Sequence, residues 1–208
     1  MRVAPEVATK SRRTRKRFQQ QLVRNLKEAL SADGVAAAIH DRWNRIFVET
    51  ADPASPAPST DIAARLATVF GIASVSSADA RGPASLDDIV RQGHELYAGR
   101  VKGRRFAVRA KVDANPGFGA HDIEVQLGAA LNTHAEVDLE EPDVTVFVEV
   151  WDREAYYFCD RVKGQGGLPL GVQGRGVCLI SGGFDSAVAA WLLLKRGVAL
   201  DYVFCNLG

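Results

Sequence analysis

The residues with the clearest chemical potential in this sequence are the six at Ser181-Gly-Gly-Phe-Asp-Ser186. They follow an apolar run predicted as a strand at residues 177–180 and precede an apolar helical pattern at residues 187–196. A strand, a glycine pair and a helix start aim backbone N–H groups and the positive end of the helix dipole at an anion. The glycines let the backbone approach phosphate oxygens, and the serines add hydroxyl donors. These residues predict a phosphate-binding loop.

This loop differs from the two commonest phosphate-binding motifs. No lysine follows the glycines, as it does in GxxxxGK[ST], and the spacing is not that of GxGxxG. Asp185 suits an anion site only if it caps the helix or helps to hold Mg²⁺. Taken by itself, a Gly-Gly turn with Asp185 as an ordinary N-cap is the favoured interpretation.

Two groups of cations are candidates for binding a polyanion. The first, which we call the basic cluster, has no acid within it and comprises Lys10, Arg12, Arg13, Arg15, Lys16 and Arg17. The second lies on and beside a predicted strand, where Arg109 and Lys111 share one face. Cations at this density are typical of phosphate contacts, and a solvated helix face is the usual alternative for a charge run.

Two α+β units must position these residues. The first has apolar residues recurring every four positions from Phe18 to Leu30. Its predicted elements are a helix over residues 9–30, hairpin strands at 35–40 and 45–50, a helix at 61–70 and a strand at 72–76. The second unit is predicted to contain a helix over residues 86–99, a strand at 106–112, a helix at 121–132 and hairpin strands at 144–151 and 155–162.

A third segment has the pattern of a βαβ unit. A glycine-dense connector at residues 164–171 precedes the loop, and residues 200–205 form the second predicted strand. One crossover cannot bury both faces of a parallel sheet. The third domain is therefore expected to be unfinished, and the chain to be a fragment of a longer protein.

The composition excludes several classes of protein. Hydrophobic residues make up 47% and charged residues 25% of the chain, which is typical of a soluble globular protein. No apolar run reaches the roughly 18 residues that a membrane span needs, and no signal peptide opens the chain. Three scattered cysteines argue against a disulfide framework, so the chain is predicted to be cytoplasmic. Cys178, Cys205 and Trp191 are predicted to be buried packing residues.

The phosphate-binding loop also carries a resemblance. It matches the SGGxDS motif of PP-loop ATP pyrophosphatases, which cleave ATP between its α and β phosphates and adenylate a substrate. Together with residues 5–11, 142–146 and 164–171, it resembles the tRNA 4-thiouridine synthetases, also called tRNA uracil 4-sulfurtransferases. The resemblance covers essentially the whole chain and is closest to the N-terminal part of the long bacterial form.

The resemblance implies a fold and a domain order. It implies α+β ferredoxin-like and THUMP domains, followed by the first βαβ unit of an α/β PP-loop ATP pyrophosphatase domain. The expected boundaries are residues 1–72 for the ferredoxin-like domain, with its first strand clipped, 73–166 for the RNA-binding THUMP domain, and 172–208 for the start of the PP-loop domain.

The resemblance also implies a reaction. In this family ATP adenylates uridine 8 of tRNA, and sulfur from a cysteine persulfide then replaces the 4-oxygen to give 4-thiouridine. The catalytic cysteines are expected beyond Gly208, so this chain alone is expected to bind tRNA without turnover. The expected partners are tRNA, a cysteine desulfurase as sulfur donor and, in the full-length protein, a second copy of the chain. A role in thiamine thiazole synthesis is undecided.

Site residues follow from the motif and the charge pattern. The expected ATP contacts are Leu179, Ile180, Ser181, Gly182, Gly183, Phe184, Asp185, Ser186, Phe204 and Cys205, with Asp185 supporting Mg²⁺. The expected tRNA contacts are the basic cluster together with Arg109 and Lys111. Two other functions remain open, a non-catalytic THUMP module that binds tRNA and a PP-loop synthetase acting on a small molecule. A pure binding module would not need the phosphate-binding loop.

Overall fold

The computed structural model describes residues 1–42, 45–50, 62–113, 116–133 and 135–205. The chain divides into two compact units. The first unit combines Met1–Val75 with Val162–Gly208, and the second is Ser76–Arg161. Among the described residues, no helix has the length and apolar character to cross a membrane.

The elements alternate between short strands and helices. In chain order they are β1 (Arg2–Val3), α1 (Pro5–Ala8), α2 (Arg12–Ala32), β2 (Ala37–Arg42), β3 (Arg45–Thr50), α3 (Ile62–Ala67), β4 (Ile72–Val75), β5 (Ala80–Pro83), α4 (Leu86–Val101), β6 (Arg105–Val112), α5 (Ala120–Leu131), β7 (Glu136–Val137), β8 (Val144–Trp151), β9 (Glu154–Phe158), β10 (Val162–Lys163), β11 (Arg175–Ile180), α6 (Phe184–Lys195) and β12 (Ala199–Phe204).

The first unit contains an antiparallel sheet with the strand order β10-β4-β1-β3-β2. The first strand, β1, has two residues in the middle of the sheet. Arg2 pairs with Arg45 of β3 and Ser74 of β4, and Val3 pairs with Ile72 of β4. The apolar face of α2 is buried at the predicted interval of four residues. The helix begins three residues later than predicted, because residues 5–8 form a helical turn of their own.

One strand belongs to a different sheet from the one predicted. Val162 was expected to end the hairpin strand at residues 155–162, but β9 ends at Phe158. Val162 instead pairs with Val75 of β4 in the first unit. The chain therefore leaves the first unit after Val75 and returns to it at Val162. The two residues of β10 pair with Val75 and Ser74 of β4.

The second unit has a mixed sheet with the strand order β5-β9-β8-β6-β7. The predicted core face of β6 is confirmed, since Phe106 and Val108 are buried in the core and Arg109 is exposed, but Ala107 between them is buried as well. Helices α4 and α5 pack closely at Gly93, where an added Cβ would lie 2.8 Å from both methyl carbons of Leu127. The absence of a side chain at this position is what lets the two helices approach.

The third predicted segment forms the expected βαβ unit, with β11 and β12 parallel and Ile180 opposite Phe204. Its apolar residues are largely uncovered, because α6 buries only Ala190 against the two strands. Trp191 is 41% exposed and Cys205 is exposed, so the prediction that both are packing residues is wrong. One helix covers only part of a two-stranded sheet, which leaves these side chains largely exposed. Trp191 contacts Phe70, with 6.1 Å between ring centroids, and the side chain of Lys195.

The contact at Gly93 generates a stability prediction. Replacing Gly93 with Ala overpacks the α4–α5 contact, and we expect it to lower the free energy of unfolding by about 1–3 kcal/mol. The matched control is Gly99→Ala on the same helix, where an added Cβ meets nothing within 4 Å. This control should stabilise the chain by about 1 kcal/mol, because alanine favours helix over glycine. Urea titrations followed by circular dichroism measure both, and equal stabilities would contradict the packing account.

Candidate nucleotide and RNA sites

The predicted phosphate-binding loop joins the carboxyl end of β11 to the start of α6. Three hydrogen bonds order it: the N–H of Ser181 donates to Oγ of Ser186 at 3.3 Å, the N–H of Gly183 donates to Oγ of Ser181 at 3.3 Å, and Oγ of Ser186 donates to the carbonyl of Gly183 at 3.0 Å. The two serines therefore shape the loop. The first N–H groups of α6 have no partner within the helix and face the end where the dipole is positive.

The two glycines of the loop are not required by its own conformation. Neither has a positive φ, and an added Cβ on Gly182 would meet nothing within 4 Å. A Cβ on Gly183 would meet only Oγ of Ser181, at 3.6 Å. The space beside the backbone is open, which is what the approach of a phosphate group requires.

Asp185 has a different position from the one that the simple turn interpretation requires. The N-cap of α6 is Gly183, and Asp185 lies in the first turn of the helix, exposed. The interpretation of Asp185 as an ordinary N-cap is therefore wrong. No ion pair to Asp185 occurs within the described part of the chain, and its carboxylate is available to a cation that accompanies a phosphate ligand. Among the described residues, no group of three potential metal ligands occurs.

The other residues predicted to contact ATP lie at the same edge of the small sheet. Ile180 and Phe204 are opposite each other at the carboxyl ends of two parallel strands, and Cys205 follows directly. Leu179 precedes Ile180 in β11, and its side chain is 70% exposed. Ligands of open α/β sheets bind at the carboxyl ends of the strands. The residues predicted to contact ATP therefore lie at the same edge of the sheet as the loop.

The basic cluster occupies the end of the preceding loop and the first two turns of α2. Arg12, Arg13 and Lys16 are exposed, and the first turn contains no acidic residue. Arg15 lies against the chain and donates to the carbonyl of Ala8 at 3.4 Å. Cations at a helix N-terminus are repelled by the positive end of the dipole. The helix carries this charge at an electrostatic cost, which a bound polyanion would offset.

The second group of cations, in the other unit, is partly neutralised. Arg109 is exposed and donates to the carbonyl of Leu139 at 2.6 Å, while Lys111 pairs with Asp113 at 3.3 Å. Both residues lie on one face of β6, as predicted, but Lys111 offers less free charge than its sequence position suggested.

Sequence reasoning missed the role of two acids beside this strand. Asp138 and Asp143 both form ion pairs with Arg105, at 3.1 and 3.0 Å. The hydrogen bonds from the Arg105 side chain and backbone hold the pKa of Asp143 below its ordinary value. The pairing lies across β6 and the loop after β7, and no spacing within the sequence indicates it.

Comparison with known proteins places these features in one family. Successive family models match the chain: a ThiI ferredoxin-like domain at residues 2–76, a THUMP domain at 83–160 and a thiamine biosynthesis protein (ThiI) model at 171–207. A probable tRNA sulfurtransferase of Aeropyrum pernix is 38% identical over 205 residues, covering 98% of this chain and 51% of the relative. The chain belongs to the tRNA sulfurtransferase family. The predicted order of ferredoxin-like, THUMP and initial PP-loop folds is confirmed.

Two solved structures are similar to this chain over almost its whole length. PH1313 from Pyrococcus horikoshii has a TM-score of 0.84 and 31% identity, covering 99% of this chain and 67% of that one. A 4-thiouridine synthetase in complex with RNA and ATP has a TM-score of 0.74 and 28% identity, covering 98% of this chain and 51% of that one. The chain spans about half the length of the sulfurtransferase relatives that it matches.

The open space beside the loop generates a prediction about ligand binding. We expect Gly182→Ala to leave thermal stability unchanged, because the methyl group meets no protein atom. The same methyl group occupies the space that a phosphate needs, so ATP affinity of the whole protein should fall about ten-fold or more. Gly128→Ala on α5, which is also in open space, is the control. Calorimetric titration that shows equal ATP affinity for both variants would remove the loop from the nucleotide site.

Proposed function

We propose that the whole protein is a tRNA uracil 4-sulfurtransferase that uses ATP to activate uridine 8 of tRNA for replacement of its 4-oxygen by sulfur. One observation carries the proposal: a phosphate-binding loop with an open face and a helix start crowded with cations belong to the same compact unit. A site for a nucleotide and a site for a polyanion are what a tRNA-adenylating enzyme needs. The names of the relatives support the same reaction.

The loop supplies binding and charge stabilisation for the first step. The 4-oxygen of the uracil attacks the α-phosphorus of ATP while the N3 proton of the uracil is lost to solvent. The bond between the α-phosphorus and the oxygen that bridges to the β-phosphate breaks, and pyrophosphate leaves. The N–H groups at the start of α6 and the closely approaching backbone of Gly182 stabilise the charge that develops on the phosphate oxygens. Asp185 would hold Mg²⁺, which neutralises charge on the leaving pyrophosphate.

The second step lies outside the residues that this chain provides. The outer sulfur of a cysteine persulfide, supplied by a cysteine desulfurase, attacks C4, and AMP leaves with the oxygen. A second thiol then attacks the inner sulfur of the persulfide, which breaks the S–S bond, releases 4-thiouridine and leaves a disulfide between the two cysteines. Burial raises the pKa of the Cys159 thiol to about 11, which keeps it protonated at neutral pH and unsuited to this step. We propose that this chain alone binds tRNA in the cytoplasm without turnover.

RNA contacts are assigned to the basic cluster, with Arg109 and Lys111 adding contacts from the THUMP unit. Recognition of a folded RNA by these residues would depend on its shape and its phosphates and not on base edges. A purely tRNA-binding module is the second candidate, and the open, glycine-lined loop disfavours it because RNA binding does not use that space.

The basic cluster generates a prediction about salt dependence. Each phosphate contact contributes about 0.7–0.9 to the slope of log K against log salt, so Arg13→Ala/Lys16→Ala should flatten the slope by about 1.4–1.8. The matched control is Arg24→Ala/Lys27→Ala, which removes the same residue types at the same spacing from later turns of α2. This control should change the slope little.

Filter-binding titrations of tRNA at several salt concentrations measure both slopes. The same change of slope in the two double variants would mean that net charge, and not the position of the cluster, determines binding. An unchanged slope in both would remove α2 from the RNA interface.

Replacing Asp185 tests whether nucleotide chemistry and RNA binding use different residues. We expect Asp185→Ala in the whole protein to lower the rate of tRNA-dependent pyrophosphate release by about 10²-fold or more, through loss of charge stabilisation. Its affinity for tRNA should remain within about two-fold of wild type, because the phosphate contacts that determine it lie elsewhere. Retained pyrophosphate release with weakened tRNA binding would contradict this division of roles.

A further inference from the structure

The chain passes between the two compact units twice. Residues 76–79, the outgoing crossing, lead from β4 to β5, and residues 159–161, the return crossing, lead back from β9 to β10. β5 and β9 are antiparallel neighbours with Ala80 opposite Tyr157, so the two crossings leave the second unit side by side. Most residues of both crossings are exposed. Because burial of apolar side chains does not hold them, polar contacts must fix their position.

The C-terminal end of α4 binds both crossings. The hydroxyl of Tyr97 donates to Oδ2 of Asp79, in the outgoing crossing, at 2.7 Å. The guanidinium of Arg100 forms ion pairs with Asp79 at 4.0 Å and with Asp160, in the return crossing, at 3.3 Å. Tyr97 and Arg100 are three residues apart and therefore project from the same side of the helix. These contacts join the two crossings to each other as well as to α4.

Further contacts hold each crossing on the sheet of the second unit. The N–H of Asp79 donates to the carbonyl of Tyr157 at 2.8 Å. Arg161, the last residue of the return crossing, lies 4.1 Å from the ring centroid of Phe147 and forms an ion pair with Glu149 at 3.4 Å. Phe147 and Glu149 lie on the face of β8 that points away from the core and from α4. The return crossing is therefore bound on both faces of the sheet.

The bond from Tyr97 fixes the crossing more than it serves the core. The ring of Tyr97 is 1% exposed, and burial together with the bond to Asp79 raises the pKa of its hydroxyl. A buried tyrosine hydroxyl usually has a partner. However, the hydroxyl of Tyr157 is buried in the same core and has no hydrogen-bond partner among the described residues. Since the core accommodates one such hydroxyl, its packing does not require the bond between Tyr97 and Asp79.

We propose that the side chains that join the two crossings are positioning residues for RNA binding. We call them the clamp: Asp79, Tyr97, Arg100 and Asp160. The inference rests on the proposed function, in which the basic cluster of one unit and Arg109 of the other contact the same tRNA. Two linked modules gain about 10²–10⁴-fold in affinity when the linkage keeps the second module at a high effective concentration. The clamp maintains that effective concentration by holding the crossings in one arrangement.

The clamp has a signature that a direct RNA contact lacks. The slope of log K against log salt counts the phosphates that the protein neutralises. A looser crossing lowers the effective concentration of the second unit but leaves the number of phosphate contacts the same. Affinity therefore falls while the slope is kept. Loss of a contact, or unfolding of the second unit, flattens the slope as well.

The first test is Asp160→Asn in the whole protein. The carboxylate of Asp160 is 79% exposed, so its replacement leaves the core intact. We expect tRNA affinity in filter-binding titrations to fall about three-fold, with the salt slope within about 0.3 of wild type. The control is Asp87→Asn, which removes the same charge from the exposed start of α4. Loss of an acid by itself favours RNA binding, so this control should bind equally well or more tightly.

The sign of this change distinguishes the clamp from a direct contact of Arg100 with RNA. Asp160→Asn releases Arg100 from one of its ion pairs. If Arg100 bound a phosphate directly, the variant would bind tRNA more tightly than wild type. Tighter binding by Asp160→Asn would therefore overturn the clamp.

The second test removes both α4 side chains from the clamp, in Tyr97→Phe/Arg100→Gln. The matched control is Tyr156→Phe/Arg91→Gln, which loses a tyrosine hydrogen bond of the same length, 2.7 Å to Glu154, and an arginine that is paired within α4. We expect tRNA affinity to fall about ten-fold in the clamp variant and less than about two-fold in the control. The two salt slopes should agree within about 0.3. At saturating tRNA, the rate of pyrophosphate release should stay within about two-fold of wild type in both.

Amide hydrogen exchange reports whether the crossing has loosened. The N–H of Asp79 should exchange faster in the clamp variant, while the amides of β6 stay protected. Equal tRNA affinities of the clamp variant and its control would overturn the positioning role. A flattened slope or lost protection of β6 would assign these side chains to RNA contact or to the fold, and would overturn it as well. A wild type that does not bind tRNA would instead contradict the proposed function, on which the clamp depends.

Discussion

The first unit depends on the backbone of residues 162–174, which bonds on one side to β4 and on the other to the carbonyl of Lys195, at the end of α6, and to that of Gly197 just beyond it. Without these bonds the βαβ segment would have little to hold it, because α6 buries only Ala190 and most of its apolar side chains are exposed. The contact of Trp191 with Phe70, at 6.1 Å between ring centroids, is one of few side-chain contacts available. The position of the phosphate-binding loop is therefore set from the far end of its helix.

Both candidate sites use the positive end of a helix. At α6 the unpaired N–H groups and two glycines face open space, and at α2 the same end carries additional cations. Without a bound anion, the positive charge at the start of each helix is not neutralised. A phosphate group bound there neutralises it. A triphosphate at one helix and an RNA backbone at the other satisfy the two together, which is why tRNA adenylation accounts for the unit better than RNA binding alone.

Long periodic patterns were enough to predict α2, α4, α5, β6 and β8, because each presents one apolar face to a core. Two short strands, β5 and β7, were not predicted in this way. β7 has two exposed residues and β5 contains Gly82 and Pro83, so neither carries a hydrophobic alternation. Val162 has strand character, but a sequence does not say which sheet a strand joins.

The order of strand, loop and helix around residues 181–186 was predictable from the apolar runs on either side, while phosphate binding by the loop stays a prediction. The residues that surround the loop were harder to predict. The prediction that Trp191 and Cys205 are buried assumed neighbours that the described residues do not provide, and the ion pairs of Arg105 join residues about 35 positions apart.

The central claim is that the protein that contains this chain makes 4-thiouridine in tRNA. Nucleoside mass spectrometry of tRNA from cells with and without the gene tests it most directly, with a Gly182→Ala allele as a third sample. The account predicts that 4-thiouridine is present in the wild type, absent in the deletion and strongly reduced with Gly182→Ala. An unchanged level of 4-thiouridine in the deletion strain would contradict it.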